Sequence, residues 1–312
     1  MVKHLITLED FSKQDIEYLF EVALSVKKMK RQKTDILKGK SIGLIFQKPS
    51  NRTRVSFEVA VWQLGGNCIY LGPEEINLGK RETTSDVAQT LSRYLDGIVA
   101  RTNAHQDVVD LAKYATIPVI NGLSDIYHPC QALADFLTIK EKLVKTKVSS
   151  LKEIILAYIG DGNNVCHSLL LGAAQLGMTM NIATPKGYEP KREIINLARS
   201  WAEKTKAQFL ITNSPQDAVR GAHVIYTDVW VSMGQETEAI ERNISFKGFQ
   251  IDNTLSLLAH RDFIFLHCLP AHRGEEVSEE IIDGPHSVVF DQAENRLHIQ
   301  KAILIKLLGE QA

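Results

Sequence analysis

The sequence predicts an α/β protein of two domains, each a parallel sheet flanked by helices. Three observations carry this expectation. Short apolar runs alternate with longer stretches of helical periodicity along nearly the whole chain, the pattern of βα units. At 312 residues the chain is longer than one ordinary core serves. A charged stretch, KEKLVKTKVSSLK at 140–152, loses apolar periodicity in its second half and separates two such series. The expected domains are therefore 1–145 and 146–293, with a final helix beyond.

The elements follow in order. Ser12-Lys13-Gln14-Asp15 reads as a capping box, followed by Ile16, Leu19, Phe20, Ala23 and Leu24 at helical spacing. A basic run at 27–33 is a solvated helix end, and Gly39 closes it before a first strand at 41–46. Pro49 turns the chain into a helix that Gly65-Gly66 stops. Strands at 68–71, 97–100 and 118–120 then alternate with helices at 83–95, 106–115 and 129–143. The second series places strands at 154–159, 180–183, 209–212, 224–226, 263–266 and 288–290, with helices at 163–176 and 192–204. The last helix, 294–308, has an apolar face of Leu297, Ala302, Ile305 and Leu308, which needs another surface to cover it.

Composition excludes several classes of function. Formal net charge is −1, so no global field points to nucleic acid or to a membrane surface. The opening Met1-Val2-Lys3-His4-Leu5 has no apolar signal core, and no apolar run approaches a membrane span. Cys68, Cys130, Cys166 and Cys268 are far apart, which fits a reduced, cytoplasmic protein without a zinc site of the usual spacing.

Chemistry concentrates beyond predicted strand ends, where parallel sheets hold their ligands. The stretch Lys48-Pro49-Ser50-Asn51-Arg52-Thr53-Arg54 opens a helix with hydroxyls and guanidiniums. Two readings fit it: a capped helix with solvated arginines, or an anion site at the positive end of the helix dipole. Basic residues in a first turn oppose that dipole unless an anion is present. Arg101 ends the strand at 97–100, and His128-Pro129-Cys130-Gln131 joins another strand to its helix. Pro129 suits the first helical position, which leaves His128 and Gln131 able to face the strand-end cleft as donors.

In the second half, Gly160-Asp161-Gly162-Asn163-Asn164-Val165 half-matches a dinucleotide fingerprint. Its third glycine is Val165, and the next strand ends in Thr184-Pro185 rather than an acid. Asn164 could instead grip a polar substrate group. Asp228-Val229-Trp230-Val231-Ser232-Met233-Gly234 is a surface loop, or a mobile one whose Asp228 holds a cationic amine. Cys268, in His267-Cys268-Leu269-Pro270, is an inert thiol or one that contacts a substrate. His267 points to the opposite pleat face, so a Cys–His nucleophile is not favoured. Arg296 adds a further cation. Arg52, Arg54, Arg101 and Arg296 for anionic oxygens, with Asp228 for a cation, suit transfer of an activated group from an acyl phosphate to an amine. No metal and no cofactor is assigned.

The motifs SNRTR (50–54), HPCQ (128–131), DVWVSMG (228–234) and HCLP (267–270), in that order, resemble the transcarbamoylase family, the last two its ornithine branch. The resemblance implies two α/β domains with the last helix, 294–312, crossing back to the first, and a homotrimer or multiple of trimers. It implies transfer of the carbamoyl group of carbamoyl phosphate to the δ-amine of L-ornithine, within arginine metabolism, without metal or cofactor. By motif, Ser50, Asn51, Arg52, Thr53, Asn77, Arg101, His128, Pro129, Cys130 and Gln131 would hold carbamoyl phosphate. Asn164, Asp228, Ser232, Met233, Cys268, Leu269 and Arg296 would hold ornithine, and Arg101, His128 and Cys268 would surround the reacting centre. Two positions depart from the family pattern: Asn51 where threonine is common, and Asn77 where a longer glutamine or histidine would reach a neighbouring subunit.

Overall fold

The structure, a computed structural model, describes residues 3–76, 78–79, 81–144, 146–232 and 236–309. The chain divides into two compact units, one of Met1–Ala134 with Glu294–Ala312, the other of Asp135–Ala293.

The first unit begins with helix α1 (Lys13–Lys28), whose Ser12–Asp15 capping box forms as the sequence suggests. Strands β1 (Ser41–Phe46), β2 (Asn67–Leu71), β3 (Gly97–Arg101) and β4 (Val119–Leu123) form one parallel sheet in the order β2-β1-β3-β4. Helices α2 (Asn51–Gln63), α3 (Thr84–Leu91) and α4 (His105–Tyr114) connect them. One core gathers Ile45, Val87, Leu95, Ile98, Leu111 and Val119 from sheet and helices together. Helix α5 (Pro129–Leu143) follows, and the change of unit falls inside it. Asp135 belongs to the second unit because its carboxylate accepts from Tyr226 Oη (3.1 Å) and Gln292 Nε2 (2.7 Å).

The second unit repeats the plan. Strands β5 (Ile155–Ile159), β6 (Thr179–Ala183), β7 (Gln208–Thr212), β8 (Val224–Thr227) and β9 (Ile264–His267) lie parallel in the order β7-β6-β5-β8-β9. Helices α6 (Asn164–Leu176), α7 (Arg192–Thr205), α8 (Pro215–Val219), α9 (Ala239–Ser245), α10 (Asn253–Ser256) and α11 (Glu279–Ile282) surround it. Its core packs Ile159, Ile225, Phe265 and Val277 with Phe246 and Ile281.

The final helix, α12 (Val289–Leu308), returns to the first unit as expected. Lys306 Nζ reaches Asp15 Oδ1 (2.6 Å) and Lys27 Nζ reaches Asn295 Oδ1 (2.8 Å), fastening it to α1.

Two sequence expectations change here. No strand forms at 288–290: Ser287 makes only an isolated bridge to Phe265, and α12 already starts at Val289. A short apolar run fits a strand or a helix start equally by periodicity, and Phe290, 74% exposed, contributes to no core. The helix is also buried more widely than one apolar stripe. Leu297 and Ile305 are only half-buried, while Ile299, Ile303 and Leu304 are fully buried, as are the polar Asn295 and Gln300.

Candidate active site

Both sheets have a switch point, where the strand order reverses and adjacent loops leave in opposite directions. In the first unit it lies between β1 and β3. Ser50 to Thr53 follow β1, and Arg101 ends β3 directly beside Phe46. Ser50 caps α2, its Oγ accepting from the Thr53 N–H (3.2 Å). Asn51 is exposed, and its Oδ1 accepts from the Arg52 N–H (2.6 Å). Both readings of this stretch therefore meet: the helix is capped, and its first turn sits where a ligand would bind.

Arg296, which the resemblance groups with the ornithine residues and the charge pattern with Arg52 and Arg101, is held among these donors. Its Nη1 donates to Gln131 Oε1 (2.9 Å) and its Nη2 to Thr53 Oγ1 (2.7 Å). Arg54 takes no part. It ion-pairs with Glu58 one turn on (2.9 Å) and stacks over the Tyr70 ring at 3.6 Å. Cys130 is buried with its Sγ donating to the Asn121 carbonyl (3.4 Å), and burial pushes its thiol up to about 12. It offers a ligand no thiolate. Pro129 occupies the first turn of α5.

The electrostatics of this cluster are one-signed. Burial, then Arg296 and Arg52, push the Arg101 guanidinium down to about 10. Burial, then Arg296, Arg101 and Arg52, hold the His128 imidazole well below its ordinary range. The charges that shift these two groups, Arg52, Arg101 and Arg296 among the described residues, are guanidiniums. Such a cluster is costly to bury alone and becomes favourable when a multiply charged anion occupies it.

The second switch point lies between β5 and β8. Asn163 and Asn164 follow β5, Asp228 follows β8, and Cys268 follows the neighbouring β9. Asn163 caps α6, its Oδ1 accepting from the N–H groups of Val165 (3.0 Å) and Cys166 (3.1 Å). Its Nδ2 donates to Asp228 Oδ2 (2.7 Å), while Cys268 Sγ donates to Asp228 Oδ1 (2.8 Å). Asp228 is thus oriented from two sides. Asn163 is the residue that motif reasoning missed. The N-cap signal was present, but the second bond joins residues 65 positions apart. Leu269 has a left-handed φ of 58°, held by its N–H donating to His267 Nδ1 (2.9 Å). Ser232 and Asn164 are half-buried. Asn77 and Met233 lie outside the described residues.

Gly162 stands at the second glycine of the half-matched fingerprint. A Cβ there would stand 2.3 Å from Pro190 N and 2.5 Å from Glu189 C, so the glycine permits chain-on-chain packing. In the dinucleotide fingerprint the second glycine serves instead to let a pyrophosphate approach the backbone.

The family model "Aspartate/ornithine carbamoyltransferase, carbamoyl-P binding domain" matches residues 3–141, and "Aspartate/ornithine carbamoyltransferase, Asp/Orn binding domain" matches 152–307. The chain belongs to the aspartate/ornithine carbamoyltransferase family. Among its relatives, the ornithine carbamoyltransferase of Anoxybacillus flavithermus is 53% identical over 98% of this chain and 96% of its own. That of Pyrococcus horikoshii is 50% identical over the same shares. The solved ornithine carbamoyltransferase from Pyrococcus furiosus superposes with a TM-score of 0.95 at 49% identity, covering 100% of this chain and 98% of that one.

Within this carbamoyltransferase the state of His128 makes a measurable prediction. Its folded pKa is depressed, so at pH values below 6.5 the unfolded chain binds a proton that the folded chain refuses. Stability then falls as pH falls from 6.5 towards the depressed value, by up to about 1.4 kcal/mol per pH unit. Replacing His128 by asparagine should flatten the melting-temperature profile between about pH 6.5 and 5 relative to the parent. An unchanged slope would mean that His128 is protonated in the fold.

Proposed function

We propose that this chain catalyses transfer of the carbamoyl group from carbamoyl phosphate to the δ-amine of L-ornithine, giving L-citrulline and phosphate. The observation that carries the reading is the one-signed cluster of the buried Arg101 and Arg296 with the half-buried Arg52, around a histidine kept below its usual range. A dianionic acyl phosphate answers both features. Its phosphate takes the guanidiniums, the N-terminus of α2 and Ser50, Asn51 and Thr53. Its carbonyl oxygen accepts from Arg101 and His128, with Gln131 beside them. Asn77 belongs to the same donor set by motif.

The acceptor residues are Asn164, Asp228, Ser232, Met233, Cys268 and Leu269. Asp228, fixed by Asn163 and Cys268, provides the carboxylate that an α-ammonium group requires. The δ-amine attacks the carbonyl carbon and an N–C bond forms. The tetrahedral oxyanion is stabilised by Arg101 and His128. The C–O bond to phosphate then breaks, and the amine's proton leaves with the phosphate or to solvent.

An alkylamine has a pKa of about 10.4, so near neutral pH only about one molecule in a thousand is nucleophilic. Turnover limited by chemistry should therefore rise towards alkaline pH. Removing the orienting amide in Asn163→Ala should raise KM for ornithine by about 5- to 150-fold, the effect of about 1–3 kcal/mol. The KM for carbamoyl phosphate should stay near that of the parent.

The protein works in the cytoplasm as a homotrimer or a multiple of trimers. Association with a further copy is supported by the outer face of α2, where Val55 and Trp62 are each 55% exposed seven residues apart. On the neighbouring edge strand β2, Ile69 is 42% exposed, so a partner has apolar surface to cover. Among the described residues no helix is long and apolar enough to cross a membrane. The deciding experiment is citrulline formation from carbamoyl phosphate, with ornithine, aspartate, putrescine and N-acetylornithine offered in parallel as acceptors. Ornithine should be strongly preferred, and equal or better use of another acceptor would overturn the assignment.

A further inference from the structure

Residues 272–276 form a turn that the transfer reaction does not use. The chain leaves β9, passes Cys268 and Leu269, and folds back at Gly274, whose φ of +88° suits only glycine comfortably. The Gly274 N–H donates to the Val277 carbonyl (2.9 Å) and the Glu275 N–H to the His272 carbonyl (3.0 Å). Gln250 Nε2 ties the turn down by donating to the carbonyls of Gly274 (2.7 Å) and Glu275 (2.8 Å). Arg273 is drawn away by a two-pronged pair with Asp283 (2.6 and 2.7 Å).

What remains on one side of the turn is His272 Nδ1 with the carboxylates of Glu275 and Glu276, all within 4.8 Å of one another. His272 Nδ1 stands 3.7 Å from Glu275 Oε2 and 3.8 Å from Glu276 Oε2. Around a zinc-sized ion with ligand bonds of about 2.0–2.2 Å, ligand atoms lie roughly 3.3–3.5 Å apart. The two distances from His272 are within a few tenths of an ångström of that spacing, and the two carboxylates lie no more than 4.8 Å apart.

Glu276 supplies the second, independent observation. Its side chain is fully buried. One oxygen, Oε1, accepts from His267 Nε2 (3.2 Å) and from the His272 N–H (2.5 Å). The other, Oε2, is buried with no hydrogen-bond partner among the described residues. A carboxylate oxygen removed from water without a donor is destabilising unless a cation meets it. His272 and Glu275, each 49% exposed at the side chain, place the other two candidate ligand groups at the surface above it.

We propose that His272, Glu275 and Glu276 form a binding site for a divalent transition-metal ion of the zinc and cobalt class. One imidazole and two carboxylates are the ligand types such ions accept, with the remaining positions filled by water. The site is linked to the acceptor residues through one hydrogen-bond path. Glu276 Oε1 holds His267 Nε2, and His267 Nδ1 holds the Leu269 N–H next to Cys268. An ion that fixes Glu276 therefore also steadies the segment that carries Cys268.

The test is titration of the full chain with Co2+, followed by absorption and by calorimetry. Asp228, His267 and Cys268 also lie within ligand distance of one another, so the titration uses a Cys268→Ala background. The expected result is one Co2+ per chain, with a d–d band and no thiolate charge-transfer band. Adding His272→Ala or Glu275→Gln should each weaken binding at least about tenfold. No saturable binding in the background, or an affinity unmoved by both further substitutions, would overturn the proposal.

Discussion

Replacing Arg296 by methionine should lower kcat/KM for carbamoyl phosphate by about 10²- to 10³-fold, the scale of losing one preorganised charged donor. Two bonds fix this guanidinium, to Thr53 Oγ1 and Gln131 Oε1, so its charge is placed before any ligand arrives. Methionine keeps most of the apolar stem and removes the charge. A second consequence separates an electrostatic role from simple misfolding. After burial, Arg296 is the largest influence holding His128 below its ordinary range. In Arg296→Met the His128 imidazole should therefore titrate at higher pH than in the parent, read from its ring proton resonances. A parent-like kcat/KM would remove Arg296 from the donor site. An unmoved His128 titration would show that burial and the other two guanidiniums depress it without Arg296.

The same residue shows which parts of the site were legible from the chain. Ser50, Arg101 and His128 could be placed together because each lies at or beyond the end of a strand, and parallel sheets bring strand ends to one edge. Pro129 could be placed because proline suits a first helical turn. Arg296 lies on a returning helix, and nothing local says which residues it meets 165 and 243 positions earlier. Arg54 was misassigned although its fate was readable. Glu58 stands four residues on, the spacing of a helical ion pair. The run at 288–290 failed for a different reason, since three apolar residues carry no period. Asn163 was half legible, as a helix cap, but the bond to Asp228 exists only once β5 and β8 are neighbours.

The largest stability effect is expected at Arg242. Its Nη1 donates to Asp161 Oδ2 (2.8 Å) and to the Trp230 carbonyl (2.9 Å), and the residue is only 6% exposed. The further bond to Glu238 reaches a half-exposed carboxylate, where water screens most of its worth. Arg242→Met should therefore lose about 3–5 kcal/mol in urea denaturation, mostly because Asp161 is left charged and buried. Burial already pushes the Asp161 carboxyl up, and without Arg242 it rises further. A carboxyl raised in the folded state favours folding while protonated and loses that advantage as pH rises through its folded pKa. The deficit of Arg242→Met should accordingly shrink as pH is lowered from neutral towards the unfolded carboxyl range. Adding Asp161→Asn removes the stranded charge and should restore much of the stability at neutral pH. It should not restore acceptor affinity. Asp161 lies in the loop after β5 that leads into Asn163 and Asn164, while Trp230 lies two residues beyond Asp228. The ion pair joins the two segments that orient the acceptor carboxylate, so the stable double variant should still show a raised KM for ornithine. If stability and KM recovered together, the pair would serve the fold alone.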